Sequence, residues 1–385
     1  MLTGFPNYPS GQLYPGYQLR LLQRETIAGV PVVRVPLYPE HSLSGFKRAL
    51  NYLSFAASAT VFGWGAVSKP EVIFVYHPPL TIGLPAYLLS RLWRIPFVYN
   101  IADMWPETLR ASGMLNNDIT LKLIGSFADR VYKWSKAICV ISPGFRANLI
   151  SKGVPEDKIH VISNWVDTDA YCPAVPDTAK KIKLCLHGRF NVMFAGNIGE
   201  GQGLETIVVA AQLLQNCPDV QFVIVGDGIA LPRLKEAAEA QNVKNIRFLG
   251  RYQAEDMPGL YALADVLLIH LKDDPLFQIT IPHKVFAYMA SCKPILVAVR
   301  GDAANIVMEA HAGLSCAPGD PHALAETIRH FSKMTRGTLQ EMGKRGLDAA
   351  RTKYSREYLV SQIEKVLRAS VNDLLPYDQG NTDKR

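Results

Sequence analysis

Short apolar runs alternate with helix-like patterns along almost the whole chain. The runs carry continuous apolar residues rather than alternating ones, which is typical of strands buried on both faces. The predicted strands are residues 71–77, 96–103, 137–143, 159–164, 190–196, 220–228, 245–250, 264–270 and 294–299. Segments between them, such as LETIVVAAQLL at 204–214, repeat apolar positions at helical spacing. This alternation predicts βαβ units and therefore an α/β protein with helices on both faces of parallel sheets.

A chain of 385 residues is too long for one hydrophobic core, and its pattern divides near the middle. The segment between Asp167 and Arg189 is irregular, holds two prolines and bunches its lysines. We therefore predict a Rossmann-like domain at 1–170, a linker at 171–189, a second Rossmann-like domain at 190–352, a helix at 353–370 and a polar, disordered tail at 371–385. The opening MLTGFPNYPSG is typical of a strand end and a loop. The first domain is thus expected to lack its leading strand, loop and helix.

Composition narrows the class of protein. Six cysteines occur without a CxxC spacing, which disfavours a disulfide framework or a zinc site and suits a reducing compartment. No secretory signal pattern opens the sequence. The net charge is +7, and residues 1–100 hold eight Lys or Arg against three Asp or Glu. Because no aromatic-interleaved basic run accompanies this excess, nucleic acid is not the expected partner, whereas an anionic lipid surface is compatible with it.

One uncharged stretch bears on membranes directly. Residues 49–68, ALNYLSFAASATVFGWGAVS, lie between Lys47–Arg48 and Lys69. The stretch approaches the length of a membrane span, but its Asn, Ser, Thr and Gly residues make it too polar for one. Its aromatic residues and basic flanks favour a helix that lies in the membrane interface. The alternative is an ordinary helix packed on a sheet.

The chemistry of the second domain begins with FAGNIGEGQGLE, residues 194–205. A strand, a turn with four glycines and a helix follow one another here, an order that places backbone N–H groups and a helix N-terminus around an anion. Gly residues let the backbone approach a ligand closely. The turn contains no Lys or Arg, so the charge of a bound phosphate must be neutralised from elsewhere.

The ordered set of motifs resembles the retaining glycosyltransferases of family 4. CVISPGFRANLISKGVPEDKIHVISNWVDTDAYCP at 139–173 is similar to the family's signature at the end of the first domain. FAGNIGEGQGLE, VIVGDG, RFLGRY, YALADVLLIH and the segment 281–320 follow in the family's order. The resemblance implies the GT-B architecture, two Rossmann-like domains facing across a cleft. The details look most like the O-antigen and capsule branch, which includes N-acetyl-L-fucosamine transferases.

By this resemblance, the second domain binds a nucleotide-sugar donor. Lys284, which follows Pro282 by two positions at a predicted helix start, would replace the missing charge of the turn and act on the leaving diphosphate. The donor-binding candidates are Gly196, Asn197, Gly199, Gln202, Gly203, Asp227, Arg251, Tyr252, His283, Lys284, Gly301, Asp302, Ala303 and Glu309. The family's usual ribose-binding Glu is Ala287 here, and Glu309 is the candidate substitute, with a solvated helix charge as the alternative.

The first domain would bind the acceptor. His77 in YHPP and Asp103, Trp105 and Glu107 in IADMWPETL follow two predicted strands at their carboxyl ends, where clefts form in parallel sheets. Asp103 is the candidate catalytic carboxylate that orients or deprotonates the acceptor, with a helix cap as the alternative. Trp105 offers a flat face to a sugar ring, and His77 and Glu107 would line the same cleft.

The function implied is retaining transfer of a sugar from a nucleotide-sugar, expected to be a UDP-sugar, to a lipid-diphosphate-linked glycan in surface polysaccharide synthesis. No metal or other cofactor is expected, and the predicted location is peripheral on the cytoplasmic face of the cell membrane. Two alternatives stay open: a sugar-nucleotide 2-epimerase or phosphorylase on the same scaffold, and a truncated relative without catalysis. A dinucleotide oxidoreductase is disfavoured because FAGNIGEGQG departs from GxGxxG.

Overall fold

The computed structural model describes residues 1–8, 10–40 and 45–372. These residues form two compact units. The first unit contains the described residues of 1–140, residues 146–161 and residues 362–372. The second contains Ile141–Phe145 and Ile162–Ser361. The predicted tail lies outside the described residues from position 373.

The first unit has two sheets. Its strands are β1 (Leu2–Gly4), β2 (Gln23–Ile27), β3 (Val30–Val35), β4 (Ile73–His77), β5 (Phe97–Ile101), β6 (Ala137–Val140) and β7 (Ile159–Val161). The four strands β4, β5, β6 and β7 lie in that order and are all parallel. The other sheet has the order β1-β3-β2, in which β1 is parallel and β2 antiparallel to β3. The predicted strand end at the chain's start is β1.

Helices connect the parallel strands of the first unit. They are α1 (Gly45–Ala66), α2 (Gly83–Trp93), α3 (Glu107–Ala111), α4 (Asp118–Trp134) and α5 (Pro143–Ser151), the last of which begins in the segment assigned to the second unit. In α1 the buried positions are mostly Ala and Gly, so the helix backbone can pack closely on its neighbours. The opposite face carries the exposed large apolar side chains of the helix, which are Phe46, Leu50, Leu53, Val61 and Trp64. Within the described residues, no helix is both long and apolar enough to cross a bilayer.

The second unit is built on one parallel sheet of six strands. They are β8 (Phe190–Ala195), β9 (Val220–Val225), β10 (Ile246–Gly250), β11 (Val266–His270), β12 (Ile295–Ala298) and β13 (Gly313–Ser315), in the spatial order β10-β9-β8-β11-β12-β13. Nearly every residue of β8, β9, β11 and β12 is buried, which explains their continuous apolar sequences. The strand order reverses between β8 and β11. This reversal is the topological switch point, where open α/β sheets form a crevice beyond the carboxyl ends of the strands.

Helices cover both faces of this sheet. They are α6 (Thr178–Lys183), α7 (Glu205–Leu213), α8 (Leu231–Ala240), α9 (Met257–Ala262), α10 (Pro275–Ile279), α11 (Lys284–Ala290), α12 (Asp302–Glu309), α13 (Pro321–Ser332), α14 (Arg336–Lys353) and α15 (Arg356–Asn372), which runs on into the first unit's segment. Two buried apolar clusters lie on the two faces. The prediction of an α/β fold with two Rossmann-like domains is therefore confirmed. All nine predicted strands occur, whereas β2, β3 and β13 were not predicted.

Candidate functional site

The glycine turn follows β8 at the switch point of the second unit. Gly203 has a left-handed backbone with φ 60°, which glycine adopts without strain. The N–H groups of Gln202 and Gly203 bond within the turn, and that of Ile198 bonds Asp227. Among the described residues, the N–H groups of Asn197, Gly199 and Gly201 have no hydrogen-bond acceptor. Helix α7 begins at Glu205, directly beyond. Donors without a partner at the mouth of a sheet can bind an anion.

Helix α11 brings a cation to this turn. Lys284 and Tyr288 are four residues apart, so they lie on the same helix face. The Tyr288 hydroxyl donates to the carbonyl of Ala195 at 3.0 Å and accepts from its N–H at 2.9 Å, which fixes the helix to the end of β8. The Lys284 Nζ donates to Gln202 Oε1 at 2.8 Å and lies 3.9 Å from the centre of the Phe194 ring. The amine is thus held beside a turn 82 residues away in sequence.

The position of Lys284 affects its protonation. Burial lowers the pKa of its amine from 10.5 to about 7. Among the described residues, Gln202 is the one hydrogen-bond partner of the Lys284 amine, which has three N–H donors. No described carboxylate forms an ion pair with it. A desolvated amine without a counter-ion gains most from an incoming anion. A diphosphate bound beside the amine would therefore raise the pKa of Lys284, and the amine would take up a proton.

The GDAA segment begins α12. Gly301 has φ 79°, and a Cβ there would lie 1.9 Å from the Gln278 carbonyl oxygen, so glycine is required for this close turn. The Asp302 carboxylate accepts a hydrogen bond from the Gly144 N–H at 2.7 Å. Asp302, one of the predicted donor-binding residues, therefore already has one carboxylate oxygen bonded to backbone. Ala303 is buried in the core below.

The other predicted donor-binding residues differ in their exposure and in the contacts that they already make. Asp227 caps its own turn by accepting from Gly228 N–H at 2.8 Å. Arg251 is exposed, and the Tyr252 ring packs beside the core with Lys180 5.7 Å from its centre. His283 is the N-cap of α11, and partial burial lowers the pKa of its imidazole. Glu309 is exposed at the last residue of α12, at the end opposite Gly301. Its predicted contact with the ribose stays a prediction.

In the first unit, His77 and Asp103 follow adjacent strands. His77 ends β4 and pairs in register with Ile101 at the end of β5, two residues before Asp103. His77 is 1 % exposed, and neither ring nitrogen has a hydrogen-bond partner among the described residues. Burial lowers its pKa to about 3 and raises the pKa of the Asp103 carboxyl. The helix after Asp103 has Pro106 as its N-cap without a side-chain cap, so the capping alternative for Asp103 is wrong.

Aromatic rings lie beside His77 in the first unit. The Trp105 ring lies 5.7 Å from the His77 ring, edge to face, and 6.0 Å from the Tyr52 ring of α1. Glu107 forms an ion pair with Lys152, a partner 45 residues away. That pair engages one oxygen of Glu107, while the other, Oε2, is buried and has no hydrogen-bond partner among the described residues.

Sequence reasoning missed His270, the last residue of β11. Its Nδ1 lies 2.7 Å from the backbone oxygen of Gln202, and the ring is 1 % exposed. The available signal was its place at a strand's carboxyl end. That signal was insufficient because the sequence pattern does not show that β11 lies beside β8.

Comparisons with known proteins identify the family of the chain. The family model described as "Glycosyl transferase 4-like domain" matches residues 7–165, and "Glycosyl transferases group 1" matches residues 189–333. The chain belongs to the family 4 glycosyltransferases. The two matched models correspond to the first and second units of this glycosyltransferase.

Two curated relatives of the chain are themselves named as glycosyltransferases. It is 29% identical over 264 residues to "Probable glycosyltransferase WbjE" of Pseudomonas aeruginosa, covering 68% of this chain and 64% of that protein. It is 27% identical over 277 residues to "Putative colanic acid biosynthesis glycosyl transferase WcaI" of Escherichia coli K12, covering 70% and 67%. The match thus spans about two thirds of the length of these relatives.

Solved structures show the same fold. The complex of Anabaena Alr3699/HepE with UDP superposes with a TM-score of 0.69 at 18% identity, covering 83% of this glycosyltransferase and 84% of that chain. Sucrose-phosphate synthase from Thermosynechococcus elongatus gives 0.73 at 16% identity, covering 97% and 89%. At these identities the likeness concerns the fold alone, which is the GT-B class with two Rossmann-like domains.

Proposed function

We propose that the protein is a retaining glycosyltransferase of surface polysaccharide synthesis that uses a nucleoside-diphosphate sugar, with UDP as the nucleotide. The observation that carries the proposal is the meeting of unpaired turn N–H groups with the Lys284 amine at the switch point of the second unit. Both kinds of group stabilise a diphosphate, and both gain strength as negative charge develops on it during bond cleavage. The HepE structures contain UDP and UDP-glucose, which supports UDP as the nucleotide.

The mechanism proposed needs little covalent chemistry from the protein. The leaving diphosphate accepts the proton of the acceptor hydroxyl, which attacks the sugar from the same face. The turn and Lys284 stabilise the departing charge, while Asp103, His77 and Trp105 would hold the acceptor. Most of the rate enhancement then comes from positioning and electrostatic stabilisation.

Calorimetry with UDP, GDP and uridine tests the donor site. We expect UDP to bind and uridine to bind far more weakly, because the proposed contacts are to phosphate. NMR of the protein with UDP-sugars, UDP-N-acetyl-L-fucosamine first, then separates the alternatives. Transfer with retained configuration supports the proposal, whereas interconversion of two UDP-sugars without an acceptor indicates a 2-epimerase. Failure of both nucleotides to bind would favour a non-catalytic relative.

The proposed acceptor is a lipid-linked glycan at the cytoplasmic membrane face, and α1 offers the surface to reach it. Large apolar side chains project from one face of the helix, with exposed fractions of 74% for Phe46, 56% for Leu53 and 60% for Trp64. Lys47 and Arg48 lie on the same helix. Exposed apolar residues with adjacent cations suit an anionic bilayer surface, into which the helix face would insert.

Vesicle sedimentation tests this surface. We expect the full chain to bind vesicles containing anionic phosphatidylglycerol more strongly than pure phosphatidylcholine. The double variant Leu53→Glu, Trp64→Glu should lose roughly tenfold or more of this binding, because each large apolar side chain contributes about 1.5–3 kcal/mol when buried. Ile229→Glu is the matched control, since Ile229 is 69% exposed on the second unit. An equal loss in both variants would contradict the proposal.

A further inference from the structure

Among the described residues, His270 has one hydrogen-bond partner, and that partner lies in the glycine turn. The backbone oxygen of Gln202 can only accept, so the His270 Nδ1 at 2.7 Å must carry the hydrogen and donate it. The other ring nitrogen, Nε2, is buried and has no hydrogen-bond partner among the described residues. Burial lowers the pKa of the imidazole, which keeps the ring neutral at physiological pH. The ring therefore serves the turn and no other described polar group.

Gln202 accepts hydrogen bonds from both His270 and Lys284. Its backbone oxygen accepts from His270, and its side-chain Oε1 accepts from the Lys284 amine at 2.8 Å. Within the part of the chain that the structure describes, the backbone after this strand also contacts the turn, through the Lys272 N–H that donates to the Gly201 oxygen at 3.0 Å. Because the backbone of Gln202 is fixed separately, its side chain can release Lys284 to a phosphate without moving the turn.

The packing around Gly203 agrees with this role. A Cβ at Gly203 would lie 3.4 Å from the His270 ring and 3.0 Å from the Lys272 side chain. The turn is therefore packed directly against the end of β11. Gly203 adopts a left-handed backbone and can adopt more conformations than other residues. The hydrogen bond from His270 can therefore restrict the turn to one of several conformations.

We propose that His270 is a positioning residue that holds the Glu200–Gly203 turn, through the Gln202 carbonyl, in the conformation that binds the donor's diphosphate. The inference rests on the proposed function for its ligand. It predicts a defect confined to phosphate recognition, since the ring's hydrogen bond reaches the turn alone.

Three variants separate a positioning role from a packing role. His270→Leu removes the donor and keeps an apolar side chain of similar bulk. His270→Asn keeps an N–H near the position of Nδ1, whereas His270→Gln places its N–H farther out, near the position of Nε2. We expect UDP to bind His270→Leu and His270→Gln about tenfold more weakly, the loss of one hydrogen bond, and His270→Asn within about threefold of the unmodified protein. Uridine affinity should be the same in all four proteins.

Amide hydrogen exchange provides a readout that needs no ligand. The N–H groups of Gln202 and Gly203 should exchange faster in His270→Leu than in His270→Asn, while those of β8 stay unchanged. Equal exchange and equal UDP affinity in the Leu and Asn variants would overturn the inference, as would a parallel loss of UDP and uridine binding. If the Leu variant does not fold, the Gln and Asn comparison decides. Absence of UDP and GDP binding by the unmodified protein would instead refute the proposed function, and the exchange result would still judge His270.

Discussion

Lys284→Met should lower turnover by roughly two to three orders of magnitude and, at neutral pH, make the second unit more stable. The loss of activity follows from removing one group that stabilises the leaving diphosphate, an effect of about 2.7–4 kcal/mol on the barrier. The gain in stability follows from the desolvation of the part-buried amine. Its pKa is about 7 in the folded chain and near 10.5 when unfolded, so the unfolded state binds more protons between these values. Stability is therefore reduced at and below neutral pH and recovers as pH rises toward 10.5.

The measurements are single-turnover kinetics and chemical denaturation on the same variant. Methionine fills nearly the same volume without a charge, so we expect a gain of about 1–3 kcal/mol in the free energy of unfolding at pH 7, less than full desolvation would cost because the side chain is only part-buried. Lys272→Met is the matched control: it removes an exposed lysine 3.6 Å from Glu200, beside the same turn. Unchanged turnover in Lys284→Met, or an equal loss in the control, would contradict the role of Lys284.

Lys284 could be predicted from the sequence because its signals are local. A Pro before a helix start, a lysine at its first position and a glycine turn without cations together indicate where a charge is missing. The same pattern could not supply the tie through Tyr288, since the end of β8 is 93 residues away from that hydroxyl. Local sequence thus indicated a candidate residue, and the tertiary fold supplies the contacts that hold it beside the glycine turn.

His270, Glu107 and Asp302 show the limit of this reasoning. The role of His270 depends on β11 lying beside β8, and strand order is set by the packing of whole βαβ units rather than by any one segment. Glu107 pairs with Lys152 across 45 residues, and Asp302 accepts from Gly144 across 158. Carboxylates look available in a sequence because their distant partners are not visible there. The strands themselves were predictable, since burial on both faces gives them a continuous apolar sequence.

His77 should make the first unit sensitive to acid, and His77→Gln should remove much of that sensitivity. Its pKa is about 3 in the folded chain, against about 6.5 when unfolded, because the ring is buried without a polar partner. The unfolded state therefore takes up a proton first as pH falls. Stability from this residue is fully present above about pH 6.5 and is lost at about 1.4 kcal/mol per pH unit below it, or about 2–3 kcal/mol by pH 4.5.

Denaturation at pH 7 and at pH 4.5, followed through the first unit's tryptophans, measures this difference. We expect the unmodified protein to lose about 2–3 kcal/mol more than His77→Gln between the two pH values. His187→Gln is the control, because His187 is exposed and its replacement should leave the acid loss unchanged. Equal acid losses in His77→Gln and the unmodified protein would show that the ring is hydrated or already paired. A neutral ring with two unpaired nitrogens beside Trp105 is costly to keep, and a sugar acceptor that bonded one of them would offset that cost only when bound.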